Sequence, residues 1–245
     1  DSIPLLQLAE WCEELGISGI DLLHPHEAVQ VSKFGITCPV TAAPEHPRKI
    51  GSIENAFNKT ANHTTLLEIY TELIPQAAAA GIPNVITFSG NREGLSDEEG
   101  IANCAVGLVP LLDLAEAYDV TLVMELLNSK LDHPDYQCDH TDWGIRLCQQ
   151  LDSPRFKLLY DIYHMQVMEG DVMATIQSAA PYIGHYHTAG CPGRHEINET
   201  QELYYPAIVQ AIKDTGYQGF LAQEFIPTWN DQKAALADAI KRCQV

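Results

Sequence analysis

Positive charge is scarce in this chain. Its 14 Lys and Arg stand against 33 Asp and Glu, a formal net charge of −19. Proteins that grip nucleic acid neutralise phosphates with clustered Lys and Arg, so no nucleic-acid partner is expected. CxxC pairs are missing too. The seven cysteines, at 12, 38, 104, 138, 148, 191 and 243, are scattered and odd in number. That argues against a disulfide framework or a structural zinc site and fits reduced thiols. No uninterrupted apolar run approaches the ~18 residues that span a bilayer, so no membrane partner is expected. No leader with a charged start and an apolar centre is visible, which suggests a cytoplasmic chain, or a periplasmic one if a leader has been removed. A GxGxxG loop is absent, and with it the usual dinucleotide site. No low-complexity stretch or linker breaks the chain, so residues 1–245 are read as a single domain.

What is present is a rhythm. The chain is 46% hydrophobic, enough to bury a substantial core. Short β-rich runs alternate with helical patterns. The strand-like runs are SGIDLL (18–23), ITCPVTA (36–42), NVITFSG (84–90), TLVMELL (121–127), FKLLYDI (156–162), YIGHYHT (182–188) and GFLAQEF (219–225). Helical patterns cover 3–16, 64–81, 100–119 and 203–217. Strict alternation predicts a parallel sheet covered by helices. Seven strands follow a helix that already occupies residues 3–16, and eight strands close a (β/α)8 TIM barrel. The expectation is therefore a barrel whose first strand precedes residue 1; an open doubly wound sheet is the alternative.

Four polar residues end successive apolar runs: Glu125 after TLVM, Asp161 after KLLY, His187 after GHY and Glu224 after FLAQ. Barrel enzymes work at the C-terminal mouths of their strands. Period-two alternation would turn Val123, Leu159, His185 and Ala222 inward with these four. Three carboxylates facing one another repel unless a cation sits among them, and carboxylates plus one imidazole suit a divalent metal. Taken singly, a strand-end Asp more often caps a helix, and a lone His more often satisfies itself inside a core; four at successive strand ends favour ligation. Manganese, magnesium, zinc and cobalt are the candidate ions.

The segment YDIYHMQVMEGD (160–171) resembles the signature of hydroxypyruvate isomerases, within the xylose isomerase-like superfamily of sugar isomerases and epimerases. MELLN (124–128), CPGRHE (191–196) and ELYYPAIVQAIKDTGYQGFLAQEFIP (202–227) are similar to further segments of that family. The similarity runs from about residue 60 to the C-terminus. It implies a TIM barrel holding one divalent metal through Glu125, Asp161, His187 and Glu224. Glu125 and Glu224 would also be the catalytic acid–base pair, and His164 and Arg194 would bind substrate oxygens. His187 stands where hydroxypyruvate isomerases often carry Gln, which is more like the ketose 3-epimerases. The front of the chain, through residues 43–63, resembles the family little.

The implied activity is isomerisation of a small α-hydroxycarbonyl substrate, of the hydroxypyruvate/tartronate semialdehyde type, by proton transfer through a cis-enediolate. Arg194 would hold a substrate carboxylate through its bidentate fork; a surface ion pair with Glu196 or Glu199 is its ordinary alternative. Epimerisation of a ketose or sugar derivative is the second reading, and a non-catalytic sugar-binding barrel the third. Residues 24–48 and 128–142, which include His24, His26, His46 and His140, are expected to wall the pocket. A homo-oligomer is compatible with all of this.

Overall fold

The computed structural model describes residues 3–244. Six parallel strands form one sheet in sequence order: β1 (Val40–Thr41), β2 (Asn84–Thr87), β3 (Thr121–Leu126), β4 (Phe156–Asp161), β5 (Ile183–Thr188) and β6 (Leu221–Gln223). Nine α-helices are present among the described residues. Two precede β1: α1 (Leu5–Leu15) and α2 (Pro25–Val31). The others are α3 (His63–Ala79), α4 (Asp97–Ala117), α5 (Thr141–Leu151), α6 (Ile162–Met168), α7 (Val172–Ala179), α8 (Tyr205–Asp214) and α9 (Gln232–Arg242).

Alternation along the strands divides the apolar residues into two groups. Val40, Ile86, Val123 and Leu159 point to the concave side and pack on one another, with Ala42 and Phe88 on top. Val85, Leu122, Met124, Leu126, Leu158 and Tyr160 point outward into the layer shared with the helices. The concave cluster is the barrel interior, and the larger outer cluster lies between sheet and helices.

Local signals set the helix ends. The Gly16 backbone has φ 69° and ends α1 in the left-handed region, which glycine enters without strain. Ser96 and Glu99 cap α4 reciprocally. By length and composition α4 could cross a bilayer, contrary to the reading of the apolar runs alone. Half of that stretch is buried in the protein and its first turn carries Asp97, Glu98 and Glu99, as in a core helix of the barrel layer.

Several strand readings shorten. The run at 36–42 keeps only Val40–Thr41, and that at 219–225 only Leu221–Gln223. The run at 18–23 is strand-like on one side only. Ile20 N–H donates to Thr37 O at 3.0 Å and Leu22 N–H to Val40 O at 2.7 Å, and Gly19 bridges Thr37 in parallel. Leu22 then turns to φ 62°, outside the extended region. This segment extends the ring beyond β1. Between it and β6 no described strand intervenes; a groove of about 430 Å³ lies there, walled by Ile17–Leu22 and Phe220–Glu224 and roofed by Leu8, Cys12, Leu236 and Ile240. The expected eighth strand was assigned to residues ahead of Asp1, outside the described chain.

Candidate active site

All four strand-end donors converge. Glu125 is the penultimate residue of β3, Asp161 ends β4, His187 is penultimate in β5, and Glu224 follows β6 directly. One ligand atom from each lies within 4.8 Å of all the others. Oxygen and nitrogen ligands about 2–2.5 Å from a common ion are separated by such distances. Asp161 is fully buried, and Glu125 and His187 nearly so.

Their electrostatics express the crowding. Burial raises the Asp161 carboxyl well above the usual range, and the Glu224 charge adds to this. Glu125 is raised by burial, with the Glu224 charge contributing. Glu224 also resists ionisation through burial, but His187 and Arg194 outweigh that and hold it well below the ordinary carboxylate range. Burial works against a charge on His187, yet Glu224, Asp21 and Glu125 together raise it well above an ordinary imidazole.

A divalent cation fits this set. Glu125 Oε1 and Asp161 Oδ2 are buried and have no hydrogen-bond partner among the described residues, a costly state that a cation would relieve. His187 presents Nδ1 to the cluster, 3.2 Å from Glu224 Oε2 and 3.4 Å from Glu125 Oε1. Its other nitrogen, Nε2, lies 3.1 Å from Asp21 Oδ2. His185, one layer deeper, places Nε2 2.6 Å from the same oxygen. Burial alone would raise the Asp21 carboxyl, but the hydrogen bonds from the two imidazoles hold it at about 2. A carboxylate behind a ligating imidazole fixes ring and tautomer and strengthens the ligand. Asp21 was not singled out in the sequence, although SGIDLL shows the same signal, a carboxylate near the end of an apolar run.

Asp161 does two things at once. Its Oδ1 accepts the His164 backbone N–H at 2.9 Å, capping α6, and its Oδ2 faces the cluster. The ordinary role of a strand-end Asp as a helix cap is met by one oxygen, and the other stays free to act as a ligand. Because α6 starts at once, His164 is carried to the mouth, fully buried, with Nε2 4.0 Å from Asp161 Oδ2. The Asn128 backbone N–H donates to His164 Nδ1 at 3.2 Å. A backbone N–H can only donate, so Nδ1 accepts and Nε2 carries the proton of the neutral ring. Burial, helped by Arg194 and His133, lowers His164 to about 3, so the ring presents a neutral N–H donor to the mouth.

Arg194 donates from Nη2 to Glu224 Oε2 at 2.7 Å. Its surface alternatives are taken elsewhere: Glu199 pairs with Arg242, and Glu196 accepts from Thr228 and Trp229. Arg194 has φ 58°, an uncommon conformation for a residue with a side chain. It is held there by Arg194 N–H to Gly190 O (2.9 Å), Gly190 N–H to His195 O (2.8 Å) and Ile226 N–H to Arg194 O (2.7 Å). The loop is thereby stapled to the end of β6.

Of the four histidines in the expected pocket walls, one or two of which were expected to reach substrate, none joins the cluster. His140 pairs with Asp139, His46 accepts from the Arg48 backbone, and His24 stacks on His26. The histidine that does stand at the mouth is His133, its ring centroid 5.3 Å from that of His164.

A parallel sheet curled around an apolar interior, with a carboxylate–imidazole cluster at its C-terminal mouth, defines a TIM-barrel protein with a candidate metal site. The sequence model for the xylose isomerase-like TIM barrel matches residues 9–243, and the chain belongs to that family. Among curated relatives, it is 34% identical over 113 residues to a 2-oxo-tetronate isomerase of Cupriavidus necator, covering 46% of this chain and 43% of that protein. It is 31% identical over 134 residues to the hydroxypyruvate isomerase of Escherichia coli, covering 55% and 51%. The chain thus matches about half the length of these relatives. A solved structure titled AP endonuclease, family 2, from Brucella melitensis superposes with a TM-score of 0.86 at 21% identity, over 98% of this chain and 93% of that one. One titled L-ribulose 3-epimerase gives 0.78 at 19%, over 97% and 86%. At these identities the two structures share the fold. The resemblance to hydroxypyruvate isomerases and the barrel class are borne out.

Proposed function

We propose that the chain is a metal-dependent isomerase of a small α-hydroxycarbonyl compound, moving the carbonyl between adjacent carbons through a cis-enediolate. The observation that carries this reading is the convergence of Glu125, Asp161, His187 and Glu224 on one point, with two buried carboxylate oxygens left without a donor. Those four residues would hold the ion. A divalent cation there supplies positive charge that favours loss of the proton beside the carbonyl.

The protein's own groups carry the proton transfer. Glu125 and Glu224 would be the acid–base pair, one taking the proton beside the carbonyl and the other returning one from the opposite side; β4 and β5 separate their strands. His164 Nε2–H donates to a substrate oxygen, and Arg194 binds an anionic end. The similarity to isomerases of hydroxypyruvate and 2-oxo-tetronate supports the reading.

Ketose epimerisation is the second reading, favoured by His187 at the third donor position and by the fold shared with the L-ribulose 3-epimerase. An endonuclease role agrees poorly with a net charge of −19. Incubation with Mn²⁺ and hydroxypyruvate, or a four-carbon 2-oxo sugar acid, in D₂O tests the reading. Isomerisation places deuterium on the carbon that receives the hydrogen; label only at an inverted centre of a ketose supports epimerisation. No exchange with any hydroxycarbonyl compound overturns both.

A further inference from the structure

Asn128 lies fully buried just beyond the end of β3. Its Oδ1 accepts from the backbones of Leu131 (3.0 Å) and Asp132 (2.9 Å). Backbone N–H groups can only donate, so the oxygen must face them and the amide cannot be turned over. Nδ2 is thereby aimed the other way, at His164 Nδ1 and at Asp132 Oδ2, each at 2.6 Å. One N–H goes to each, and the amide is saturated. Asp132 Oδ2 also accepts the Tyr163 hydroxyl at 2.7 Å. Lys130 Nζ donates to Val167 O at 3.3 Å. These contacts tie the loop after β3 to α6, the helix that carries His164. His133 N–H, donating to Asn128 O at 3.1 Å, closes the loop on itself.

The consequence falls on His164. Its Nδ1 faces two donors that both belong to Asn128, the side-chain amide and the backbone N–H at 3.2 Å. Nδ1 therefore keeps its lone pair, and the proton of the neutral ring sits on Nε2. Nε2 is buried, has no hydrogen-bond partner among the described residues and lies 4.0 Å from Asp161 Oδ2. The opposite tautomer would set Nδ1–H against two N–H groups and turn a lone pair towards a carboxylate. A carbonyl or enolate oxygen can only accept, so the tautomer decides whether this ring can serve such an oxygen at all.

We propose that Asn128 is a positioning residue: its side-chain amide, oriented by the loop's own backbone, holds His164 as the Nε2–H tautomer that donates to a substrate oxygen. The substrate contact of His164 rests on the isomerase reading; the hold on the ring does not. The test is nitrogen NMR of isotope-labelled protein with Mg²⁺ present. The wild type is expected to show the Nε2–H tautomer of His164, and a scalar coupling between Asn128 Nδ2 and His164 Nδ1 across their hydrogen bond. Asn128→Asp keeps the size but sets a carboxylate oxygen, which can only accept, opposite Nδ1. His164 is then expected to carry a proton on Nδ1. With Mn²⁺ and hydroxypyruvate, kcat of that variant is expected to fall about 10²-fold, the usual loss when one donor to a developing oxyanion is removed, with KM changed less. A wild-type ring protonated on Nδ1, absence of the coupling, or an Asn128→Asp ring that stays Nε2–H overturns the proposal. The first two outcomes need no variant, so they decide it even where Asn128→Asp does not fold. A flipped ring with unchanged turnover overturns it too. Failure of the isomerase reading shows separately, as absence of deuterium exchange in the wild type.

Discussion

Asp21 shows how much of the candidate site depends on a residue outside the donor set. It meets both His187 and His185 through one oxygen and so decides which His187 nitrogen faces the cluster. Replacing Asp21 with Asn keeps the size but removes the charge. Changes behind a metal ligand typically cost about 10–100-fold in metal affinity. Asp21→Asn is expected to weaken Mn²⁺ binding by that amount in a competition titration with a chromogenic chelator, while the circular dichroism spectrum stays native. Unchanged affinity would mean that the backbone alone orients His187.

At the scale of elements, the loop bearing Arg194 is tightly constrained by its own backbone hydrogen bonds. Gly190 is in close contact with it: a Cβ there would lie 2.4 Å from Glu196 O and 3.0 Å from His195 O, both backbone atoms that cannot swing aside. Forcing such a contact costs about 1–3 kcal/mol, here taken up by the loop. Gly190→Ala is therefore expected to raise KM for a carboxylate-bearing substrate severalfold or more, with metal stoichiometry intact. A normal KM would show that Arg194 holds no substrate group. The strand-borne donors were legible in the sequence because each ends an apolar run and period two fixes the direction it points. Arg194 and His164 were reached only through family resemblance, and His133 only as part of the stretch 128–142 expected to wall the pocket. Their placement depends on loop closure, on an α6 that starts at Asp161, and on hydrogen bonds between residues far apart in sequence, none of which leaves a periodic trace. The segment at 18–23 was read as an ordinary strand; its one-sided pairing and the turn at Leu22 are tertiary outcomes, and they put Asp21 at the mouth.

For the molecule as a whole, the buried carboxylates make stability, pH and metal interdependent. Asp161 and Glu125 have folded-state proton affinities above their unfolded values. In the metal-free protein the stability they contribute is present below their unfolded values, near pH 4, and is lost as pH rises towards the folded ones. His164 runs the other way: its folded value of about 3 lies below the unfolded one, so stability is lost as pH falls from about 6.5. A cation held by the cluster would replace the protons of the first pair. The gap in Tm between Mn²⁺-loaded and chelator-stripped protein is thus expected to widen as pH rises from about 4 to 7. A gap independent of pH would mean that metal and protons do not share this site.

The central claim is that Glu125 and Glu224 exchange protons with substrate carbon at a metal-holding cluster, and deuterium exchange tests it most directly. With Mn²⁺ and a hydroxycarbonyl substrate in D₂O, the wild type is expected to incorporate solvent deuterium during conversion. Glu125→Gln and Glu224→Gln are each expected to lower conversion by about 10²–10⁴-fold, while the remaining carboxylate still exchanges its own substrate proton with solvent. Near-wild-type conversion by both variants, with metal bound, would contradict the account and leave the two glutamates as ligands alone.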